Sequence, residues 1–300
     1  MTSRLSGYLA IIVASTLWGV AAAAAKFLFS SRAVPPFLLV QVRMGLSAVL
    51  LVVTLAIFAP KLLRLRRQDV SFFVIWGIVG MAAVQFTYLF TVAETNVATA
   101  IFLQYLAPVL TAAYMWLFQG EKPTGVLAIC LTLALGGLFL LIFGGTEQLL
   151  VSTIGLMSGL ASAVFCSFYT IYGARTPERI SPWTLLCYGL GAGFLFWLVV
   201  DGVMLAVGSP PAGTALLGDL SMWPFFAYIA VLATIVPFGL YLTGLRTVSP
   251  TMANITGMLE SVVGGLAAYI ALHETLRPMQ ILGGCLIVAA VVLLQIKRQK

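Results

Sequence analysis

Two charged side chains, Arg43 and Glu260, stand inside long apolar stretches of the sequence. A charge at the centre of a lipid bilayer costs at least about 2.5–3.5 kcal/mol on insertion scales, so such a group usually faces a cavity or a charged partner. Glu260 could therefore bind the cationic group of a ligand, or a proton, because poor solvation favours the neutral form of a carboxylate. The alternative is an ion pair with Arg43 that only holds two helices together.

The internal repeat of the sequence places a polar residue, Gln104, three positions before the counterpart of Glu260. Gln104 and Ala107 correspond to Gly257 and Glu260, which lie 153 residues further along the chain. Residues three apart share one face of a helix. The two helices are therefore expected to turn equivalent faces towards each other, one offering Gln104 and the other Glu260.

Further candidates for ligand contact lie in other apolar stretches. Gln85 and Tyr88 share a helix face, and Asn254 precedes Glu260 by about one and a half turns. Three aromatic residues could form apolar walls of a site, although packing or lipid contact is the commoner role of a single aromatic side chain: Trp18, Phe165 and Tyr169. We predict a binding site built from these residues around Glu260.

The cysteines do not indicate a metal site or disulfide bonds. Cys130, Cys166, Cys187 and Cys285 all lie in apolar stretches without CxxC spacing, and the chain has one histidine, His273. Small buried hydrophobes are the expected role of such cysteines. An intramembrane enzyme would need a constellation such as HExxH or paired aspartates. We therefore expect no metal, no cofactor and no enzyme activity.

The composition says what kind of structure must position these residues. Of 300 residues, 61% are hydrophobic and 8% are charged, with a mean hydropathy of +1.08. Soluble proteins carry about a quarter charged residues. The composition thus excludes a disordered chain, a nucleic-acid-binding domain and a soluble enzyme. The net charge of +7 comes from basic residues in short gaps between apolar stretches, which is typical of a polytopic membrane protein.

Charges and Pro or Gly clusters divide the sequence into ten apolar segments of about 20 residues, the length that crosses the hydrocarbon core. The predicted helices are residues 5–27, 36–59, 71–93, 96–118, 124–143, 152–173, 182–206, 222–245, 250–272 and 278–296. The weakest boundary is the short stretch Glu94, Thr95 and Asn96 between the third and fourth helices. Because these stretches lack the alternation of barrel strands, we predict an all-α integral membrane protein.

The basic residues predict the orientation. Ten helices place both termini on one side, and a cytoplasmic placement puts 12 of the 16 basic residues in the cytoplasm. Lys26, Arg32 and Arg277 fall outside, and Arg43 lies within a helix. This bias follows the positive-inside rule. We expect a multi-pass protein of the inner or plasma membrane with both termini cytoplasmic.

The two halves of the chain repeat each other. A shift of 153 residues places Tyr88-Leu89 on Tyr241-Leu242 and Glu121 on Glu274. Five helices per half is an odd number, so the second half must be inverted. The loop charges agree: the loop after helix 2 carries four basic residues, whereas its counterpart after helix 7 is assigned Asp201 and Asp219. Residues 1–145 form the first repeat and residues 146–300 the second, an arrangement typical of secondary transporters.

Several motifs in both halves resemble the drug/metabolite transporter superfamily. They are Trp18-Gly19 with Lys26, Leu106-Ala107-Pro108 through Gly120-Glu121 with Gly136-Gly137, and Leu259-Glu260-Ser261 through His273-Glu274 with Gly283-Gly284. Over essentially the whole chain, the sequence resembles the ten-helix EamA-type exporters. The resemblance implies export of amino acids or other small metabolites without an ATPase. It also implies a cavity lined by helices 1, 3, 4, 6, 8 and 9. Ser261 departs from the pattern, since the first half has Pro108 there.

These observations predict a secondary transporter that exports an amino acid or a small amine-bearing metabolite by alternating access. An anionic metabolite or sugar phosphate is the alternative, but it would need more buried cations than Arg43 supplies. The expected partners are a small-molecule substrate and the lipid bilayer, and no nucleic acid. Protons as coupling ion and a homodimer are left open by the sequence.

Overall fold

The computed structural model describes residues 2–32, 34–95, 97–144, 152–209, 212–272 and 277–296, and within these ranges it contains helices and no strand. Six predicted spans are single helices: span 1 Thr2–Arg32, span 2 Pro36–Phe58, span 5 Gly125–Phe143, span 6 Thr153–Ala174, span 7 Pro182–Ala206 and span 10 Pro278–Ile296. Glu274 and Lys297, part of the sequence predictions, lie outside the described residues, as does His273.

The other four spans are interrupted helices. Span 3 comprises Val70–Ile75, the π-helical stretch Trp76–Ala82 and Ala83–Glu94, and span 8 comprises Trp223–Ala230, the π-helical stretch Val231–Ile235 and Val236–Gly244. Span 4 is Val97–Gln104 followed by Ala107–Gln119, and span 9 is Pro250–Gly257 followed by Leu259–Leu272.

The interruptions occur at corresponding positions of the two halves. The helix break in span 4 includes Tyr105, and the break in span 9 lies at Met258, 153 residues later. The same shift of 153 residues places residues 78–82, the second part of the π-helical stretch in span 3, on residues 231–235, the π-helical stretch in span 8. Each half thus has the same irregularities at the same places, as a repeated structure requires.

The helices are long and apolar enough for a membrane. Eight stretches of the described residues meet this criterion by length and composition alone, and Pro278–Leu294 is a shorter apolar helix. Span 9 is divided at Met258 into two shorter helices. Span 3 ends at Thr95, whose backbone leaves the helical region at φ −136° and ψ −109°, and span 4 begins at Val97.

Local chemistry explains where several spans begin and end. Ser152 and Thr124 cap spans 6 and 5 by accepting hydrogen bonds from Gly155 N and Leu127 N, at 2.9 Å and 3.2 Å. Such caps satisfy amide groups that the first turn leaves free. Span 4 ends at Gly120, whose φ of +70° belongs to the left-handed region that glycine adopts most readily.

Packing between the spans follows a twofold pattern. Spans 5 and 10, spans 2 and 7, and spans 4 and 9 each pack against one another. Span 1 packs on spans 8 and 9, and its counterpart, span 6, packs on spans 3 and 4. The fold is therefore the predicted one, two inverted five-helix repeats around a common axis.

One sequence assignment was wrong. Asp201 is not in the loop after span 7 but within the helix Pro182–Ala206. Its Oδ1 accepts a hydrogen bond of 2.8 Å from Nε2 of Gln41, which is buried on span 2. The carboxylate therefore has a hydrogen-bond donor from the neighbouring span. Asp201 thus joins spans 2 and 7 through this hydrogen bond.

Candidate functional site

A cavity of about 130 Å³ lies where spans 1, 2, 3, 4, 6, 8 and 9 meet. Its lining residues are Trp18, Arg43, Val84, Gln85, Tyr88, Gln104, Tyr105, Cys166, Tyr169, Thr170, Phe238, Tyr241, Asn254, Gly257 and Glu260. The cavity adjoins the breaks in spans 4 and 9, so it lies between the two repeats.

The carboxylate of Glu260 is held by a tyrosine that the sequence analysis did not single out. Tyr105 donates its hydroxyl hydrogen bond to Oε2 of Glu260 at 2.7 Å, and the same hydroxyl lies 3.1 Å from the carbonyl oxygen of Gly257. Oε1 of Glu260 has no hydrogen-bond partner among the described residues. One oxygen of the carboxylate is therefore available to a ligand.

Arg43 faces the same cavity but is bonded to span 8. Its Nε donates to Oγ1 of Thr234 and one terminal nitrogen donates to the carbonyl oxygen of Ala233, both at 2.7 Å. Its guanidinium also lies over the ring of Phe238, 5.5 Å from the centroid. Ala233 and Thr234 belong to the π-helical stretch of span 8.

The ion pair between Arg43 and Glu260 is not formed in this conformation. The described part of the chain instead contains an ion pair between Arg179, which follows span 6, and Asp69, which precedes span 3. The physical reason is that Thr234 and Ala233 already hold the guanidinium on span 8. Arg43 and Glu260 therefore present two opposite charges to one cavity without neutralising each other directly.

Three other side chains that line the cavity carry buried polar atoms with no hydrogen-bond partner within the described part of the chain. They are Nε1 of Trp18, both amide atoms of Gln85 and the hydroxyl of Tyr169. Gln85 is only 4% exposed. A buried polar group without a partner costs about 1–3 kcal/mol, so these atoms favour water or a polar ligand in the cavity.

Asn254 has a different environment, because its amide is already bonded on both sides. Its Oδ1 accepts from Tyr241 at 2.7 Å and from Thr170 at 2.9 Å, and its Nδ2 donates to Thr111 at 2.9 Å. These bonds connect spans 4, 6, 8 and 9. The geometry favours a role in holding the spans together over direct contact with a ligand.

The aromatic wall is built around Trp18. Its ring lies edge-on to Phe238, 4.8 Å between centroids, and near Tyr241 at 5.6 Å. The next residue, Gly19, allows the backbones of spans 1 and 9 to approach each other, because a Cβ at this position would lie 2.6 Å from the carbonyl oxygen of Glu260. Span 1 therefore packs closely on span 9 beside the cavity.

Seven of the eight predicted ligand residues, and Arg43, line this one cavity. Phe165 is partly buried on span 6 but is not among the lining residues, because its neighbour Cys166 occupies that face of the helix. Sequence reasoning missed Tyr105, Tyr241, Thr170 and Phe238. For Tyr105 a signal existed: Pro108 cannot donate to the carbonyl of Gln104, and this predicts an irregular turn that rotates the next residue towards the site.

The two inverted repeats, with a cavity between them that Arg43 and Glu260 line, define a helical secondary-transporter fold. The model of the EamA-like transporter family matches residues 5–143 and again residues 153–296. The chain belongs to the EamA-like transporter family, and it is a multi-pass integral membrane protein and a membrane transporter.

Individual relatives agree with this membership. The chain is 26% identical to the uncharacterized inner membrane transporter YicL of Salmonella typhimurium, over 100% of this chain and 98% of that protein. It is 24% identical to the threonine/homoserine exporter RhtA of Escherichia coli K12, over 90% of this chain and 84% of that protein. A crystal structure with 20% sequence identity shares the fold with a TM-score of 0.75, covering 97% of this chain and 96% of its own.

Proposed function

We propose that this protein exports a small zwitterionic metabolite, an amino acid or a related amine-bearing compound, by alternating access. The observation that carries the proposal is that Glu260 and Arg43 line one cavity without bonding to each other. A carboxylate suits an ammonium group, and a guanidinium suits a carboxylate. A ligand that carries both charges would satisfy both side chains.

The rest of the cavity supports a small polar ligand. The unpartnered amide of Gln85 offers one acceptor and two donors, and Nε1 of Trp18 offers a further donor. The volume of about 130 Å³ leaves room for a compact solute in this conformation. The alternative substrate that the sequence left open, an anionic metabolite, is less favoured because the carboxylate of Glu260 would repel it.

The inverted repeats support alternating access, in which one half rocks against the other around a central site. The bonds between Asn254 and spans 4, 6 and 8 would close one end of the cavity. We assign that end to the cytoplasm, with both termini on the same side, because the basic residues are concentrated there. Export as the direction rests on the family resemblance and on the relatives named exporters.

The inner or plasma membrane is the proposed location, in keeping with the relative named an inner membrane transporter. We also propose that a proton competes with the ligand cation for Glu260, since both neutralise the same carboxylate. A homodimer stays a prediction from the sequence.

Flux measurements in proteoliposomes test the proposal. Three matched groups of labelled solutes are compared: amino acids, the corresponding amines without a carboxylate, and the corresponding acids without an amine. We expect the amino acids to move at least about tenfold faster than either partial analogue, because each analogue leaves one buried charge without its partner. Fastest flux of the acids without an amine, or no flux of any group, would contradict the proposal.

A further inference from the structure

Span 9 is broken immediately before Glu260, and the break frees a backbone acceptor. Met258 N bonds to the carbonyl of Ile255 at 3.2 Å, and Ser261 N bonds to the carbonyl of Met258 at 3.1 Å. These bonds span three residues instead of the four of an α-helix. In a regular helix Ser261 N would bond to the carbonyl of Gly257, so this oxygen is open to another donor.

Tyr105 supplies that donor from the corresponding break in span 4. Its hydroxyl lies 3.1 Å from the carbonyl of Gly257 and 2.7 Å from Oε2 of Glu260. A phenol has one proton to donate. It can therefore make a full hydrogen bond to only one of these two acceptors at a time.

We propose that Tyr105 is a positioning residue that couples the charge of Glu260 to the bend of span 9. When Glu260 is ionised, the hydroxyl donates to the carboxylate. When a proton or a ligand cation neutralises Glu260, the hydroxyl donates to the carbonyl of Gly257 and stabilises the broken turn. Occupancy of the site thereby changes the helix that forms one wall of the cavity. The coupling rests on the proposed function, since it assigns ligand and proton binding to Glu260.

Other groups face Glu260 from the elements packed around the cavity. They are Arg43 on span 2, Tyr88 on span 3, Cys166 and Tyr169 on span 6, and Tyr241 on span 8. Among the described residues, Tyr105 alone has a side-chain hydrogen bond to the carboxylate. A change of the Tyr105 hydroxyl is therefore the most selective way to alter the environment of Glu260.

The substitution Tyr105→Phe keeps the ring and removes the hydroxyl. In proteoliposomes we expect its maximal transport rate to fall about tenfold, with the KM for the transported amino acid changed by less than about threefold. We also expect the midpoint of its pH profile to move to higher pH, because the ionised carboxylate loses a donor. Tyr172→Phe is the matched control, since Tyr172 is a partly buried tyrosine of span 6 outside the cavity lining. A wild-type pH profile in Tyr105→Phe would overturn the proposal.

A second variant covers the case in which Tyr105→Phe does not fold. 3-Fluorotyrosine at position 105 preserves the shape and makes the hydroxyl a stronger donor, so the pH midpoint should move to lower pH. No shift, or a shift in the direction of Tyr105→Phe, would count against the coupling.

A readout without transport separates this inference from the proposed function. Hydrogen exchange of the backbone amides in residues 257–261 is followed against pH and corrected for its intrinsic pH dependence. We expect a transition in the wild type that is absent in Tyr105→Phe, whichever solute the protein carries. If the transition is the same in both proteins the inference fails, even where amino-acid flux is normal. If it differs while no amino acid is transported, the proposed function alone fails.

Discussion

Arg43 and Glu260 face one cavity from spans 2 and 9, and each is held by a neighbour on a different span. Thr234 and Ala233 hold the guanidinium at 2.7 Å, and Tyr105 holds the carboxylate at 2.7 Å. Opposite charges attract strongly where the effective dielectric constant is low. These hydrogen bonds therefore compete with a direct ion pair, and they leave both charges facing the cavity.

The first prediction concerns the bond that retains Arg43. Thr234→Val keeps the shape of the side chain and removes the Oγ1 acceptor. We expect the freed guanidinium to move towards Glu260 and compete with the ligand cation, so that the KM for an amino acid rises about three- to tenfold. Thr132→Val is the control, because within the described part of the chain the Thr132 hydroxyl bonds to the carbonyl of Ala128 in its own helix. An unchanged KM in Thr234→Val would show that this bond does not position Arg43.

The second prediction concerns the close approach of spans 1 and 9. A Cβ at Gly19 would lie 2.6 Å from the carbonyl oxygen of Glu260, whereas a Cβ at Gly265 would meet nothing within 4 Å. Gly19→Ala should lower the free energy of unfolding by about 1–3 kcal/mol through overpacking, and it should displace Trp18 from the cavity and reduce flux. Gly265→Ala should behave like the wild type. Equal thermal stability and flux in the two variants would mean that the close contact is not required.

The fold could be predicted well from the sequence, because the features that place the spans are local in the chain. Apolar length, charges and proline placed every span, and the repeat with an odd number of spans required the inversion. The candidate site was predictable in part, because Glu260 and Gln85 are costly to bury without a function. The roles of Thr234 and Tyr105 were not, since they depend on contacts between residues more than a hundred positions apart. Asn254 shows the same limit: its type suggested ligand contact, while three neighbours on other spans occupy its amide.

The third prediction concerns the hydrogen bonds around Asn254. Asn254→Leu has a similar volume but leaves three buried hydroxyl groups without this partner. We expect the free energy of unfolding to fall by about 1–3 kcal/mol and the closed end of the cavity to open more often. In a protein that retains only Cys166, a native cysteine in the cavity lining, a thiol reagent added on the cytoplasmic side should then react faster. Unchanged reactivity would contradict a gating role for Asn254.

The fourth prediction is topological. A cysteine at Gln68 should label from the cytoplasm and one in the loop before span 8 from outside, in a background without the native cysteines. Gly218 suits the second position better than Gly213, where φ is +81° and a Cβ would lie 2.7 Å from the ring of Pro35. Labelling of Gln68→Cys and Gly218→Cys from the same side would contradict the assigned orientation.

The central claim is that Glu260 binds the cationic group of the substrate, and Glu260→Gln tests it most directly. The substitution keeps the size and a hydrogen-bond acceptor for Tyr105 but removes the charge, so the folded yield should stay near that of the wild type. Transport and its dependence on pH are measured together in proteoliposomes with purified protein. We predict that amino-acid flux is lost or no longer responds to pH. Normal flux with the wild-type pH profile would contradict the account.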